Sequence, residues 1–276
     1  MNPHARHATS PLSLLRSLWV HRELLRALVM REIVGRYKGS ALGMMWSFLT
    51  PLLMVLVFTF VFGEIFQARW AGSAHSGGID FASALFTGLL AYQFLSDCLS
   101  RAPMLVVANA NYVKKVVFPL EILPVVSVVA AVFHLLVAYG ILLALILASH
   151  WTLGPTALLA PLVLLPYVLL ILGLSWAISA LGVYLRDVGQ LIQPALTALL
   201  FLSPVFYPLS SVPTALHPVY WANPVTYVSE TLRGVLLHQT PPDPMTWLLF
   251  TGTSLLVAWL GLSLFQTTRR GFADVI

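Results

Sequence analysis

The chain has 276 residues, of which 59% are hydrophobic and only 9% charged, with a formal net charge of +5 and a mean hydropathy of +0.87. A soluble domain carries roughly 25% charged residues, so this chain has too little charge to cover a water-facing surface and is expected to be an integral membrane protein. The single cysteine, Cys98, excludes an internal disulfide and a cysteine-rich metal site, and no basic stripe interleaved with aromatics marks a nucleic-acid binder.

The first expected element is a helix over residues 11–30, with Ser10 as N-cap and Pro11 at the first helical position. Leu14, Leu18, Leu25 and Val29 share one face, with Arg16, Glu23 and Arg26 beside it. Leu15 and Trp19 blur that stripe, so the helix is moderately amphipathic and is expected to lie along the membrane surface. Arg16 interrupts the only early apolar run, which argues against a signal peptide.

Six segments are then long and apolar enough to cross a bilayer as helix: about 40–63, 81–107, 122–149, 156–185, 188–208 and 245–268. The second carries Asp97 and Arg101 towards its end, four residues apart and placed to pair on one helical face. The third holds His134 as its only ionisable group, which reads as an interhelical hydrogen-bond partner. The fifth is interrupted by Pro194, Pro204 and Pro208.

Orientation follows from lysine and arginine. Seven precede the first span (Arg6, Arg16, Arg22, Arg26, Arg31, Arg36 and Lys38), and Lys114, Lys115, Arg186, Arg269 and Arg270 fall in loops or tail on the same side. The opposite loops hold only Arg69 and Arg233. Six spans with both termini in the cytoplasm satisfy this bias.

Two non-spanning stretches stand out. In "NANYVKKVVFPLE", residues 109–121, Asn109 and Asn111 favour caps and Pro119 stops a helix, so a short cytoplasmic helix of two turns is expected between them. Residues 208–238 lie on the outer side but are more apolar than a water-facing loop requires, with prolines at 208, 213, 218 and 224. Two short helices dipping back into the outer leaflet are expected there, because broken helix is tolerated at depth only when buried in protein or lining a cavity.

Several chemistries are excluded. The three lysines at 38, 114 and 115 follow Tyr37, Val113 and Lys114, so no Gly-Lys P-loop exists, and HExxH, CxxC and GxSxG are absent. His4, His7, His21 and His75 lie near the terminus or in loops rather than as a ligand set. No catalytic, cofactor-binding or metal-binding residue is expected. Aromatics are more telling: Trp46, Phe48, Tyr92, Phe94, Trp176 and Tyr184 sit in or near spans one, two and four. Phe206, Tyr207, Tyr220, Trp221 and Tyr227 crowd the outer region. Such rings stack on sugars while tolerating varied sequence, and also serve as interfacial belts.

Taken in order, "REIVGRYKGSALGMMWSFLTPLLMVLVFTFVFGEIF" (31–66), "NANYVKKVVFPLEILP" (109–124), "DVGQLIQPALTALLFLSPVFYPLSSVP" and "WANPVTYVSETLRGVLL" resemble the permease subunit of type-2 ABC polysaccharide exporters, most of all the Wzm-type O-antigen permeases. Teichoic-acid and capsule permeases are near relatives. Ala91 and Tyr92 stand where relatives often carry proline and tryptophan, which bears on a kink in span two and not on function. The resemblance implies an all-α inner-membrane protein organised as a cytoplasmic N-terminus (1–38), a transmembrane domain (39–268) and a short tail (269–276). It implies two copies of this subunit with two separate ABC ATPases, which would bind ATP and Mg. The interface helix (11–36) and the loop 105–117 would dock on the ATPase through Arg26, Arg31, Glu32, Asn109, Asn111, Tyr112, Val113, Lys114 and Lys115. Trp46, Phe48, Tyr92, Phe94, Trp176 and Tyr184 would line the canal. Residues 209–240, flanked by Phe206 and Tyr207 and including Tyr220, Trp221, Tyr227, Glu230 and Arg233, would form the outer gate. The cargo would be a long glycan on an undecaprenyl lipid. The alternatives are an exporter of teichoic acid, capsule or a small hydrophobic compound, and, more distantly, a membrane-embedded glycosyl- or acyltransferase. A transferase needs a carboxylate or histidine cluster at one membrane face, which this sequence lacks.

Overall fold

The computed structural model describes residues 11–65, 78–114, 118–148 and 153–276. Every regular element among them is a helix. Two helices, α1 (Pro11–Val20) and α2 (Arg22–Gly35), open the chain, so the single helix expected over 11–30 is divided at His21. The expected cap Ser10 lies outside the described residues. Positive φ at Gly39 and Gly43 turns the chain into α3 (Trp46–Phe58), which passes Pro51 and ends in a π-helical turn, Thr59–Ile65.

The next helix, α4 (Gly78–Arg101), runs unbroken past Ala91 and Tyr92. Short 3₁₀ turns follow, then α5, described over Ala110–Lys114, and the rest of the two-turn helix expected here lies outside the described residues. The remaining elements are α6 (Ile122–Ala148), α7 (Ala160–Tyr184), α8 (Val188–Phe201), α9 (His217–Trp221), α10 (Pro224–Leu237), α11 (Pro244–Thr268) and α12 (Phe272–Val275).

Among the described residues, four stretches are long and apolar enough to cross a membrane: Gly43–Val61, Ile122–Ala148, Pro155–Tyr184 and Pro244–Val275. Helix α4 has the length at 24 residues, but it carries Asp97 and Arg101 in its last turns. Helix α8 passes Pro194 yet stops after 14 residues, about 21 Å at 1.5 Å per residue and short of the roughly 30 Å hydrocarbon core. The chain breaks there because Pro204 offers no N–H and Val205 N donates instead to Ser203 O at 2.7 Å.

Polar side chains bond across the helices to backbone carbonyls. Tyr167 donates to Ala91 O at 2.9 Å, Tyr92 to Leu196 O at 3.1 Å, and Trp247 to Leu162 O at 2.9 Å. These bonds join α7 to α4, α4 to α8 and α11 to α7. Between α7 and α11 the backbones themselves touch. A Cβ on Gly261 would fall on the Gly173 carbonyl oxygen, and one on Gly173 would lie 2.6 Å from the Ala258 backbone. Small residues at such crossings let dispersion and backbone contact replace the hydrophobic drive that lipid removes. Gly173→Leu and Gly261→Val should each lower the unfolding midpoint of the detergent-solubilised protein markedly. Gly252→Ala, in the same helix but with open space around it, should leave the midpoint unchanged or raise it slightly.

Candidate functional site

One end of the bundle gathers nearly all the positive charge. The N-terminal helices, the α4–α6 connection, the α7–α8 turn and the C-terminus share this end. Among the described residues, the opposite end carries Arg233 alone of the lysines and arginines. Within the basic end two ionic clusters fix the geometry.

The first cluster centres on Glu121, just before α6. Its carboxylate, nearly buried, takes Arg269 Nη1 at 2.6 Å and the Ser17 hydroxyl at 3.0 Å. Its backbone carbonyl accepts Trp176 Nε1 at 3.0 Å, and Arg269 Nη2 reaches Phe118 O at 2.7 Å. One residue therefore joins α1, α7, the end of α11 and the segment leading back from α5.

The second cluster ties α2 to α4. Arg36 Nη1 meets Asp97 Oδ2 at 2.7 Å, Arg101 Nε meets Asp97 Oδ1 at 3.0 Å, and Arg101 Nη1 meets Glu32 Oε1 at 3.2 Å. The expected Asp97–Arg101 pair is present, enlarged by Glu32 of α2 and by Arg36 just past its end. Beside it Arg31 Nη1 donates to the Tyr112 hydroxyl at 3.0 Å, and the Tyr112 ring stacks on Phe118 with centroids 4.5 Å apart. Helix α2 and the segment around α5 are thus in direct contact. Asn109 does not cap α5: its Nδ2 donates to Leu105 O at 2.8 Å, one turn back, so the side chain serves the preceding 3₁₀ turns. Arg26 and Asn111 are exposed, Val113 is half-buried, Lys114 is in α5, and Lys115 lies outside the described residues.

Between the C-terminal end of α2 and helices α3, α4 and α6 lies a pocket of about 310 Å³. Arg36, Tyr37, Gln93, Asp97, His134 and Trp46 contribute its polar and aromatic wall, and Met54, Phe86, Leu89 and Leu135 its apolar one. The Tyr37 hydroxyl lies 3.2 Å from His134 Nδ1, with the two rings edge to face. Burial pushes the Tyr37 phenol above its usual value, so it stays a neutral hydroxyl at physiological pH.

The sequence-selected aromatics divide. Trp46, Phe48 and Tyr184 are exposed and Tyr92 is half-exposed. Phe94 and Trp176 are buried, at 4% and 2% exposure, against neighbouring helices. Tyr184 sits at the basic end, its hydroxyl donating to Thr268 O at 2.6 Å.

At the opposite end Arg233 is fully enclosed. It donates to Ala84 O at 2.9 Å, Pro204 O at 2.7 Å and Val205 O at 3.3 Å, and pairs with Glu230 at 2.6 Å. The guanidinium satisfies the carbonyls freed where α8 breaks. Asn223 caps α10, accepting from Val225 N at 2.9 Å, while its amide holds Leu202 O and Ser203 Oγ. Tyr207 and Tyr220 share a hydroxyl–hydroxyl bond of 2.8 Å, Tyr227 stacks on Phe250, Phe206 packs against Phe58 and Trp221 is exposed. The two helices expected in this region are α9 and α10.

The family model for ABC-2 type transporters matches residues 23–237. The chain is 28% identical over 270 residues to an O-antigen export system permease protein of Myxococcus xanthus, covering 96% of this chain and 100% of that one. It is 24% identical over 261 residues to an O-antigen export system permease protein of Klebsiella pneumoniae, covering 92% and 95%. A polysialic acid transport protein of Escherichia coli is 25% identical over 260 residues, covering 91% and 95%.

The Glu121–Arg269 bridge gives a test of this end. Glu121→Gln and Arg269→Gln should each destabilise the protein, and the double variant should be less unstable than the sum. Residues in one network couple by roughly 0.5–3 kcal/mol, readable by denaturant titration in mixed micelles. Strict additivity would show that the bridge contributes nothing in the native protein.

Proposed function

The chain belongs to the ABC-2 type transporter family, and from that membership we propose that it is the permease subunit of an ATP-driven exporter that moves lipid-linked polysaccharide, O-antigen-like, outward across the cytoplasmic membrane. The observation that carries this reading is end-to-end similarity to permeases named for O-antigen export, the first at 96% of this chain and 100% of the relative. The similarity to a polysialic acid transport protein favours capsule export as the second reading.

In this reading two copies of the chain form the path, and two ABC ATPase subunits bind ATP and Mg. This chain itself holds no cofactor. All six segments cross the membrane, with α4 and α8 as spans two and five and with α9 and α10 dipping into the outer leaflet. Both termini are cytoplasmic, which the concentration of arginine at one end of the bundle supports. The ATPase docks on α2 and α5: Arg26, Asn111, Lys114 and Lys115 offer contacts, while the Arg31–Tyr112–Phe118 stack and the Glu32–Arg101 pair pass its movement to α4 and α6. Of the aromatics, the exposed Trp46, Phe48 and Tyr92 are the candidates for sugar stacking along the canal. Phe206, Tyr207, Tyr220, Trp221 and Tyr227 with the Glu230–Arg233 pair form the outer gate. Undecaprenyl linkage of the cargo completes the reading.

Two measurements test it. Reconstituted with its ATPase partner, the chain should translocate lipid-linked glycan into proteoliposomes only with ATP, while the purified chain alone should hydrolyse none. Tyr112→Ala should uncouple hydrolysis from export, because the Arg31 bond and the Phe118 stack are both lost. Wild-type coupling in that variant would remove the assigned route. In a Cys98→Ser background, Ser211→Cys should react with an impermeant thiol reagent from outside and Arg186→Cys should not. The reverse pattern would invert the topology.

A further inference from the structure

The stripe that makes the N-terminal segment amphipathic in sequence is not the face that the folded chain turns outward. Leu14, Leu18 and Leu25 pack against the core cluster that contains Val126, Trp176 and Phe265, and Val29 is buried within it. Ser17, on the same side of α1 as Leu14 and Leu18, donates to the Glu121 carboxylate. Protein therefore already covers that stripe.

The other side of α1 is open. Leu12, Leu15 and Trp19 are 76%, 61% and 72% exposed, and Arg16 is exposed among them. Positions 12, 15, 16 and 19 share one helical face. Arg22 extends this face from the start of α2. Its guanidinium lies 5.4 Å from the centre of the Trp19 ring, and its Nη1 donates to Trp19 O at 3.3 Å.

Depth and charge say what covers this face. Helix α6, which begins one residue after Glu121, has 27 residues, about 40 Å against a hydrocarbon core of roughly 30 Å. Its ends therefore reach the headgroup layers, and the Ser17–Glu121 bond holds the middle of α1 at the level of its start. Three large apolar side chains side by side are unfavourable in water, but at this level they meet the acyl boundary. An indole with a guanidinium beside its ring suits the same layer, apolar on one side and polar on the other. Between residues 11 and 31 the chain carries four arginines, at 16, 22, 26 and 31, and a single acid, the exposed Glu23. That surplus selects negative headgroups, which strengthen binding about fivefold for each basic residue near the surface.

We propose that the outward face of α1 docks on anionic phospholipid of the leaflet at the basic end of the bundle. Leu12, Leu15 and Trp19 enter the acyl boundary, while Arg16 and Arg22 meet headgroup phosphates. None of these five residues belongs to the surface that α2 and α5 offer to the ATPase. The proposal needs only that the chain crosses a membrane, whatever it exports.

The test uses the full chain with Cys98→Ser and Leu12→Cys, labelled with bimane at that cysteine and placed in nanodiscs of phosphatidylcholine with a rising share of phosphatidylglycerol. As that share rises, the label should become shielded from acrylamide in the water and quenched by doxyl groups on the acyl chains, and added salt should oppose the change. Arg16→Gln and Arg22→Gln should each weaken the response about fivefold, read as a larger share of phosphatidylglycerol needed for half-shielding. Trp19→Ala should reduce the doxyl quenching. Both arginines and the tryptophan are exposed, so these variants should elute and fold as the parent does. Equal shielding in phosphatidylcholine alone would show that anionic lipid is not selected. An unchanged response in the Arg16→Gln, Arg22→Gln double variant would place the headgroup contacts elsewhere. Free access of acrylamide at every composition until the ATPase subunit is added would give this face to a protein partner, and each of these three results overturns the proposal.

Discussion

The Glu121–Arg269 pair is the interaction on which the basic end of this protein depends. Removing two charges from water costs several kcal/mol each, and that cost is met only when geometry is good and every remaining polar atom is bonded. Here the carboxylate has a guanidinium and a hydroxyl, and the guanidinium has a carboxylate and a carbonyl. The result is a junction of α1, α6, α7 and the end of α11, reached from residues 17, 121, 176 and 269. A force applied to the segment between α5 and α6 is therefore delivered to three helices at once.

The opposite end solves a different problem with a single arginine. Where α8 stops and Pro204 interrupts the backbone, carbonyls of Pro204 and Val205 lose their helical partners, and lipid offers no replacement. Arg233 donates to both, and to Ala84 of α4, so an interrupted helix is held to an intact one. Ion pairs at one end organise separate segments, whereas at the other a guanidinium substitutes for missing N–H groups. This contrast explains why Arg233 is enclosed while the arginines on α2 at residues 22, 26 and 31 are exposed.

How much of this was legible varies with the physical signal. Ile122–Ala148, Ala160–Tyr184 and Pro244–Thr268 emerge close to their expected bounds, because twenty apolar residues in a row need no periodicity to be read. The Asp97–Arg101 pair was readable from spacing, whereas nothing in the sequence pattern pairs Arg31 with Tyr112. What failed depends on orientation. A helix apolar on every side carries no stripe to say which face is buried, so Trp176 was placed with canal aromatics although its ring is enclosed and bonded to Glu121. The Gly173–Gly261 crossing and the Glu121 junction join residues 55 to 148 positions apart, and no local pattern encodes them. Asn109 was misread as a cap because the short turns before α5 offered its amide a carbonyl one turn back.

Arg36 shows how the second cluster transmits position. Its Nη1 holds one oxygen of Asp97, the other oxygen takes Arg101, and Arg101 reaches back to Glu32. A guanidinium is planar and rigid, so a shift of the chain at Arg36 moves Asp97 and Arg101 with it instead of being absorbed by one flexible side chain. The end of α2 and the last turns of α4 are thereby held in one register. Nε and Nη2 of Arg36 are shielded from solvent with no acceptor among the described residues. Desolvating a charge that is only partly bonded costs free energy, so this cluster contributes position more than stability, in contrast to the fully bonded Glu121 junction behind it.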